Sequence, residues 1–179
     1  MKMGEVHTFL SKNGEEIKLR PVVENDAEEI IESVKIIIKE GKYIQKEEPR
    51  SLLEEITFIK QISTLNNMYI AVERASKVVG IARILRGDLE MKKHTGVFRT
   101  WIHPDSQGLG IAKEVMNYTL RWGKENSLHK IWLTVFSGNE KAAYVYSKVG
   151  FEIEGRLKDQ VMINGEYEDE IYMGYFFSR

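Results

Sequence analysis

The chain has 179 residues, 42% hydrophobic and 30% charged, with a formal net charge of −1 and no cysteine. That length suits one domain with a single substantial core, and the near-neutral charge leaves no footprint for nucleic acid. The missing cysteines exclude a disulfide framework, a thiol nucleophile and a thiolate metal site; the four histidines show no ligand-like spacing, so no metal is expected. No signal-type leader and no long apolar run is visible, which predicts a cytoplasmic protein with no membrane partner.

Ile17–Val23 predicts the first strand, stopped near Pro21 and Glu24. Asn25 with Glu28 reads as a capping-box-like helix start. Ile30, Ile31, Val34, Ile37 and Ile38 then form an apolar stripe at helical period that ends at Gly41. After a polar stretch, Ser51 and Glu54 open a second helix, continued by Leu52, Ile56, Ile59 and Ile62. Met68–Glu73, Val78–Leu85 and Thr95–Ile102 predict three consecutive strands, the first two joined at Ala75-Ser76-Lys77. A helix with Ile111, Val115, Met116 and Leu120 inward follows, and then a strand over Lys130–Phe136. Ala142, Val145, Tyr146 and Val149 share one helical face, and Gly150 suits a left-handed cap before Phe151. Phe151–Ile163 and Glu166–Phe177 close the chain as a hairpin about an Asn164-Gly165 turn of type I′ character. The order is β-α-α-β-β-β-α-β-α-β-β. The strands ending at Ile102 and beginning near Lys130 are expected to be parallel neighbours joined by a right-handed crossover.

The turn between Ile102 and the helix carries the chemistry. In Gln107-Gly108-Leu109-Gly110-Ile111-Ala112, two glycines and a small residue sit where the first backbone N–H groups of a helix are still unpaired. Those donors and the positive end of the helix dipole suit a phosphate or pyrophosphate, so a phosphorylated cofactor is expected. A Walker A loop fails here, because Lys113 follows Ala112 and Glu114 follows Lys113. A dinucleotide fingerprint needs a third glycine where Lys113 stands.

The same six residues resemble the Gln/Arg-x-x-Gly-x-Gly/Ala pyrophosphate motif of the GNAT N-acetyltransferases. Downstream, Asn139-Glu140-Lys141-Ala142-Ala143-Tyr144-Val145-Tyr146-Ser147-Lys148-Val149-Gly150-Phe151 resembles that family's Asn-x-x-Ala-x-x-x-Tyr-x-Lys-x-Gly-Phe helix and its exit into the next strand. The ending Gly165–Gly174 is similar to the Rim-type branch (ribosomal-protein N-terminal acetyltransferases) and to related polyamine and small-amine enzymes. The resemblance implies an α/β fold, a mixed sheet with helices on both faces. It also implies a single N-acetyltransferase domain over residues 1–179, with acetyl-CoA (coenzyme A) as co-substrate and no metal.

The resemblance also implies roles for individual residues. The two parallel strands splay and admit the pantetheine arm of the cofactor, contacted by the backbone of Trp101 and Ile102. Gln107, Gly108, Leu109, Gly110, Ile111 and Ala112 hold the pyrophosphate, and Asn139 contacts the arm or caps its helix, or both. Tyr146 becomes the general acid for the departing sulfur, since a phenol donates a proton yet stays neutral at physiological pH. Many members carry a Glu within a His-x-Gly-Glu pattern, whereas this chain reads His94-Thr95-Gly96-Val97. His94, Glu73 or a water chain are the substitutes for that base. The acceptor is expected to be a primary amine of a small molecule or a protein N-terminus. Glu166, Glu168, Asp169 and Glu170 on the final hairpin read either as a solvated edge or as a lure for a cationic amine. A homodimer is a further expected partnership. Val97 keeps a second function class open, an acyl-CoA-binding sensor or regulatory module with weak catalysis.

Overall fold

The computed structural model describes residues 5–40 and 43–177. Along the chain, β1 (His7–Leu10) and β2 (Glu16–Pro21) precede α1 (Ala27–Lys39) and α2 (Leu52–Thr64). Then come β3 (Met68–Arg74), β4 (Lys77–Arg86), β5 (Thr95–Ile102), α3 (Ile111–Glu125) and β6 (Lys130–Phe136). The chain closes with α4 (Glu140–Lys148), β7 (Glu152–Ile163) and β8 (Glu166–Phe176). From β2 onward this is the expected order, and β1 is an additional strand ahead of it. Its four residues alternate between half-buried and exposed, too short a run for period 2 to stand out. The expected helix stop at Gly41 and the first four residues of the chain lie outside the described residues.

One eight-stranded sheet, in the spatial order β1-β2-β3-β4-β5-β6-β8-β7, separates two helical layers. Against one face, Ala27, Ile30 and Val34 of α1 pack with Ile59 and Ile62 of α2 on Tyr69, Ala71 and Ile81. Against the other, Ile111, Val115, Met116 and Trp122 of α3 cover Met68, Ile70, Val72, Phe98, Ile131 and Leu133. β3 therefore sends alternate residues into both cores, which is why it reads as an unbroken apolar run.

Local chemistry sets the element ends. Ser51 donates its N–H to Glu54 Oε2 at 2.8 Å and accepts the Glu54 N–H on Oγ at 3.4 Å, the expected capping box. The start of α1 differs from the Asn25/Glu28 expectation. Asp26 stands at the N-cap position without a side-chain bond into α1; its carboxylate instead closes the 3-10 turn Glu24–Asp26, accepting the Val23 N–H at 2.8 Å while Arg20 grips both oxygens at 2.8 and 2.9 Å. A turn held by a distant arginine leaves no mark at the Asn25–Glu28 spacing. The hairpin turn at Asn164 and Gly165 has φ of 53° and 84°, as type I′ requires.

Candidate active site

β5 and β6 are the one parallel pair among the described strands, and they pair only at Thr95↔Lys130, Gly96↔Ile131 and Val97↔Trp132. Beyond Val97 the two strands run on unpaired to Ile102 and Phe136, so the expected splay is present. On its other side β5 stays in register with β4 to the end, and the His103 N–H donates to Val79 O at 2.7 Å. Antiparallel alternation then turns the peptides of Arg99 and Trp101 toward β4, and those of Phe98, Thr100 and Ile102 toward the gap. Ile102 thus presents backbone to the opening, as expected. Trp101 does not: its peptide is spent on β4, and what it contributes is its side chain, packed toward the α1/α2 layer.

The polar turn follows directly. Gly108 and Gly110 adopt φ of 78° and 84°, a left-handed region costly for other residues. Nothing lies within 4 Å of a Cβ built on Gly108, so that face of the turn is open. Gly110 caps α3 without a side chain, leaving the first N–H groups of the helix for an anion. This fits a pyrophosphate. Gln107 does something the sequence does not suggest, donating Nε2 to the Ile102 carbonyl at 3.0 Å and so closing the end of β5. The Lys12 N–H donates to Leu109 O at 3.0 Å, and Arg74 Nη1 donates to Asp105 O at 3.1 Å. The loop of the extra β1–β2 hairpin and the end of β3 thereby brace the turn.

α4 carries the other expected residues. Asn139 accepts the Ala142 N–H on Oδ1 at 3.3 Å, a working N-cap. At the far end the Gly150 N–H reaches Ser147 O at 3.1 Å and the Phe151 N–H reaches Tyr146 O at 3.0 Å, a Schellman cap with Gly150 at φ 101°. Between these caps Tyr146 stands edge-on to Phe98, with ring centroids 6.4 Å apart, and its hydroxyl makes no hydrogen bond among the described residues. Burial pushes its pKa up to about 12, opposed by the positive charge of Arg99.

Tyr146 and Asn139 line a cavity with Trp101, Phe98, Thr134 and a group of charged residues. Lys46, Arg50, Glu55, Arg83 and Arg99 all face it. Glu55 is 2% exposed, its Oε2 bound by Arg50 at 2.9 Å and its Oε1 by the Tyr69 hydroxyl at 2.8 Å. Burial and this carboxylate raise the pKa of Tyr69. None of these charges stands out in the sequence, because they come from separate elements.

The expected bases are elsewhere. His94 lies ahead of β5, its carbonyl accepting the His129 N–H at 2.8 Å, and Glu73 is bound by Arg20 at 2.7 Å on β3. Neither lines the cavity. The acidic hairpin is largely tied into the protein. Glu168 accepts the Gly138 N–H at 2.7 Å, Asp169 pairs with Arg156 at 3.2 Å, and Glu170 accepts from Gln45 at 3.1 Å; only Glu166 is open at the turn.

Residues 32–151 match the model of the acetyltransferase (GNAT) family. The chain is 29% identical over 133 residues to the spermidine N(1)-acetyltransferase of Escherichia coli K12, covering 73% of this chain and 70% of that one. It is 54% identical over 84 residues to the L-amino acid N-acetyltransferase of the same organism, covering 46% of this chain and 51% of that one. A phosphinothricin acetyltransferase from Sinorhizobium meliloti, solved with acetyl-CoA, superposes with a TM-score of 0.83 at 18% identity, over 90% of this chain and 89% of that one. No helix among the described residues is long and apolar enough to cross a membrane, and no group of potential metal ligands occurs among them. The glycine turn, the splayed strands and these matches agree: the chain belongs to the GNAT acetyltransferase family, with acetyl-CoA as its co-substrate.

Proposed function

We propose that the chain, as a single N-acetyltransferase domain, acetylates the primary amine of a small molecule or a protein N-terminus by direct attack, with Tyr146 as general acid. The relatives named for spermidine and for L-amino acids share a primary amine as acceptor, and that shared group is what carries over. The co-substrate supplies an activated acetyl thioester. Gln107, Gly108, Leu109, Gly110, Ile111 and Ala112 hold its pyrophosphate, while Ile102 N–H and Asn139 position its arm along the gap.

The carrying observation is Tyr146, a phenol whose hydroxyl has no hydrogen-bond partner among the described residues, on the wall of the cavity beside the gap. A phenol keeps its proton at neutral pH until a developing negative charge takes it. The amine must arrive unprotonated, and the cavity favours that form. Lys46, in the same surroundings, has its pKa lowered by burial and by the charges of Arg50 and Arg83. An acceptor ammonium entering there meets the same field and loses one proton to solvent; nitrogen's second proton, shed as the amide forms, restores the Tyr146 phenol that protonated the sulfur, so no carboxylate at the Val97 position is required. Incubation with acetyl-CoA and a panel of amines, read by free-thiol release with product mass, tests the reading. Acetylated product from a primary amine supports it; co-substrate binding without product from any amine replaces it with the sensor reading.

A further inference from the structure

Resting on that amine-acetylation reading, we propose that the acceptor is a small amine that also bears a carboxylate, held by Arg83 and Arg99. The two arginines are direct cross-strand partners in the β4/β5 ladder, so they lie on one face of the sheet, and both line the cavity beside Tyr146. Like charges directly opposite each other in a sheet repel and are selected against unless something offsets them. The protein supplies little offset. Glu55 is the one carboxylate among the cavity's lining residues, and its two oxygens are committed to Arg50 and Tyr69. Neither Arg83 nor Arg99 has a carboxylate within ion-pairing distance among the described residues; Glu170 acts on Arg99 only through space and is itself bonded to Gln45.

Arg83 is the sharper case. Its guanidinium lies over the Phe58 ring at 5.0 Å, and its Nε–H is buried without an acceptor among the described residues. A buried guanidinium donor left unsatisfied is costly, and a planar carboxylate is the group whose geometry matches it. Arg99 spends Nη1 on the Phe98 carbonyl at 3.1 Å and has only a long contact, 3.5 Å, from Nη2 to Gln45. Burial lowers the pKa of both arginines, so an anion between them relieves desolvation and mutual repulsion together. With Lys46 adding a third cation, the cavity repels a wholly cationic polyamine. An amine carrying a carboxylate places its negative group on the arginine pair and leaves its nitrogen in a field that favours the neutral base.

The test compares matched acceptors: the protein amino acids, their carboxamides and linear polyamines, each with acetyl-CoA, read by thiol release and product mass. We expect kcat/KM for the preferred acid to exceed that of its carboxamide and of the polyamines by at least tenfold. In Arg83→Gln and in Arg99→Gln the acid-to-amide ratio should fall toward one, chiefly through KM for the acid. A merely structural arginine would lower acid and amide alike and leave the ratio in place. Carboxamides or polyamines used as well as acids by the unaltered protein overturn the proposal, as does an unchanged ratio in both variants. If a variant does not fold, the comparison on the unaltered protein decides. Thiol release with no amine at all, while acetyl-CoA still raises the Tm, overturns instead the amine-acetylation reading beneath it.

Discussion

Tyr146 meets Phe98 edge-on, ring centroids 6.4 Å apart, so the helix after the opening and the strand before it fix one phenol between them. Phe151, at 6.0 Å, closes a third side of the ring. The ring is placed by packing, and the hydroxyl has no hydrogen-bond partner among the described residues. Tyr146→Phe keeps the packing and should fold and bind acetyl-CoA as before. With a positioned general acid worth about 10²–10⁴ in rate, kcat should fall within that range. A kcat within a few-fold of the parent, with chemistry shown to be rate-limiting, would exclude the phenol from proton transfer.

The same phenol gives a pH prediction with a definite sign. Its folded pKa is raised from 10.0 to about 12 because burial disfavours the phenolate. The unfolded chain therefore loses this proton first as pH rises, and the folded state loses stability from about pH 10 to about pH 12. Below that window the contribution is fully present. Alkaline unfolding of Tyr146→Phe should start at higher pH than in the parent, measured by denaturant titration across the window; identical alkaline limbs would contradict the burial assigned to the hydroxyl.

Gly110 bears on co-substrate binding through both backbone and charge. Its φ of 84° strains any side chain, and a Cβ there meets Lys12 Cγ at 3.4 Å. Gly110→Glu adds bulk and negative charge where the pyrophosphate is proposed to sit. Acetyl-CoA and CoA should raise the Tm of the parent, since they bind only the folded state, and the shift should vanish in the variant while its far-UV spectrum is retained. A full shift in Gly110→Glu would remove this turn from the binding site.

Glu55, Arg50 and Tyr69 form a unit whose members should not be additive. Glu55→Ala leaves a buried phenol and a partly buried guanidinium without their acceptor, costing about 3 kcal/mol, the low end for a broken buried pair. Tyr69→Phe removes one donor and should cost about 1–2 kcal/mol. The double variant should be less destabilised than the two costs combined, by urea denaturation. Strict additivity would mean that the 2.8 Å contact carries no coupling.

Glu168 holds the loop that delivers Asn139, because its carboxylate accepts the Gly138 N–H at 2.7 Å. Glu168→Ala should weaken the acetyl-CoA-induced rise in Tm, whereas Glu168→Gln, which keeps an acceptor oxygen, should restore most of it. If the two variants behave alike, the Gly138–Glu168 hydrogen bond does not position Asn139.

Local patterns carried the legible part of this molecule. The glycine turn, the Asn139–Phe151 helix with its cap and the Asn164-Gly165 hairpin each depend on residues a few positions apart, so sequence shows them directly. The cavity is different. Lys46, Arg50, Glu55, Arg83 and Arg99 come from a loop, a helix and two strands, and each in isolation reads as an ordinary surface charge. Only the β4/β5 register brings Arg83 opposite Arg99. Residue type alone offers His94 and Glu73 as bases; the fold puts the first ahead of β5 and the second on β3 under Arg20, and neither lines the cavity. Asp26 closes the turn ahead of α1, where Arg20 from the preceding strand holds its carboxylate.

Five strands, β1 to β5, and three, β6 to β8, are stitched together along a seam of three residue pairs. Every other junction in the sheet is antiparallel and runs longer. The seam is thus the weakest joint in an otherwise continuous hydrogen-bonded layer, and α3 is the covalent strap across it. An extended molecule lying along the opened part adds backbone bonds to both lips and lengthens the joint. On the proposed placement of the pantetheine arm in that opening, loading the co-substrate would do more than present an acyl group: it would weld two blocks of sheet into one mechanical unit. Slow amide exchange should spread outward from Val97 along Thr100 and Ile102 as the joint fills.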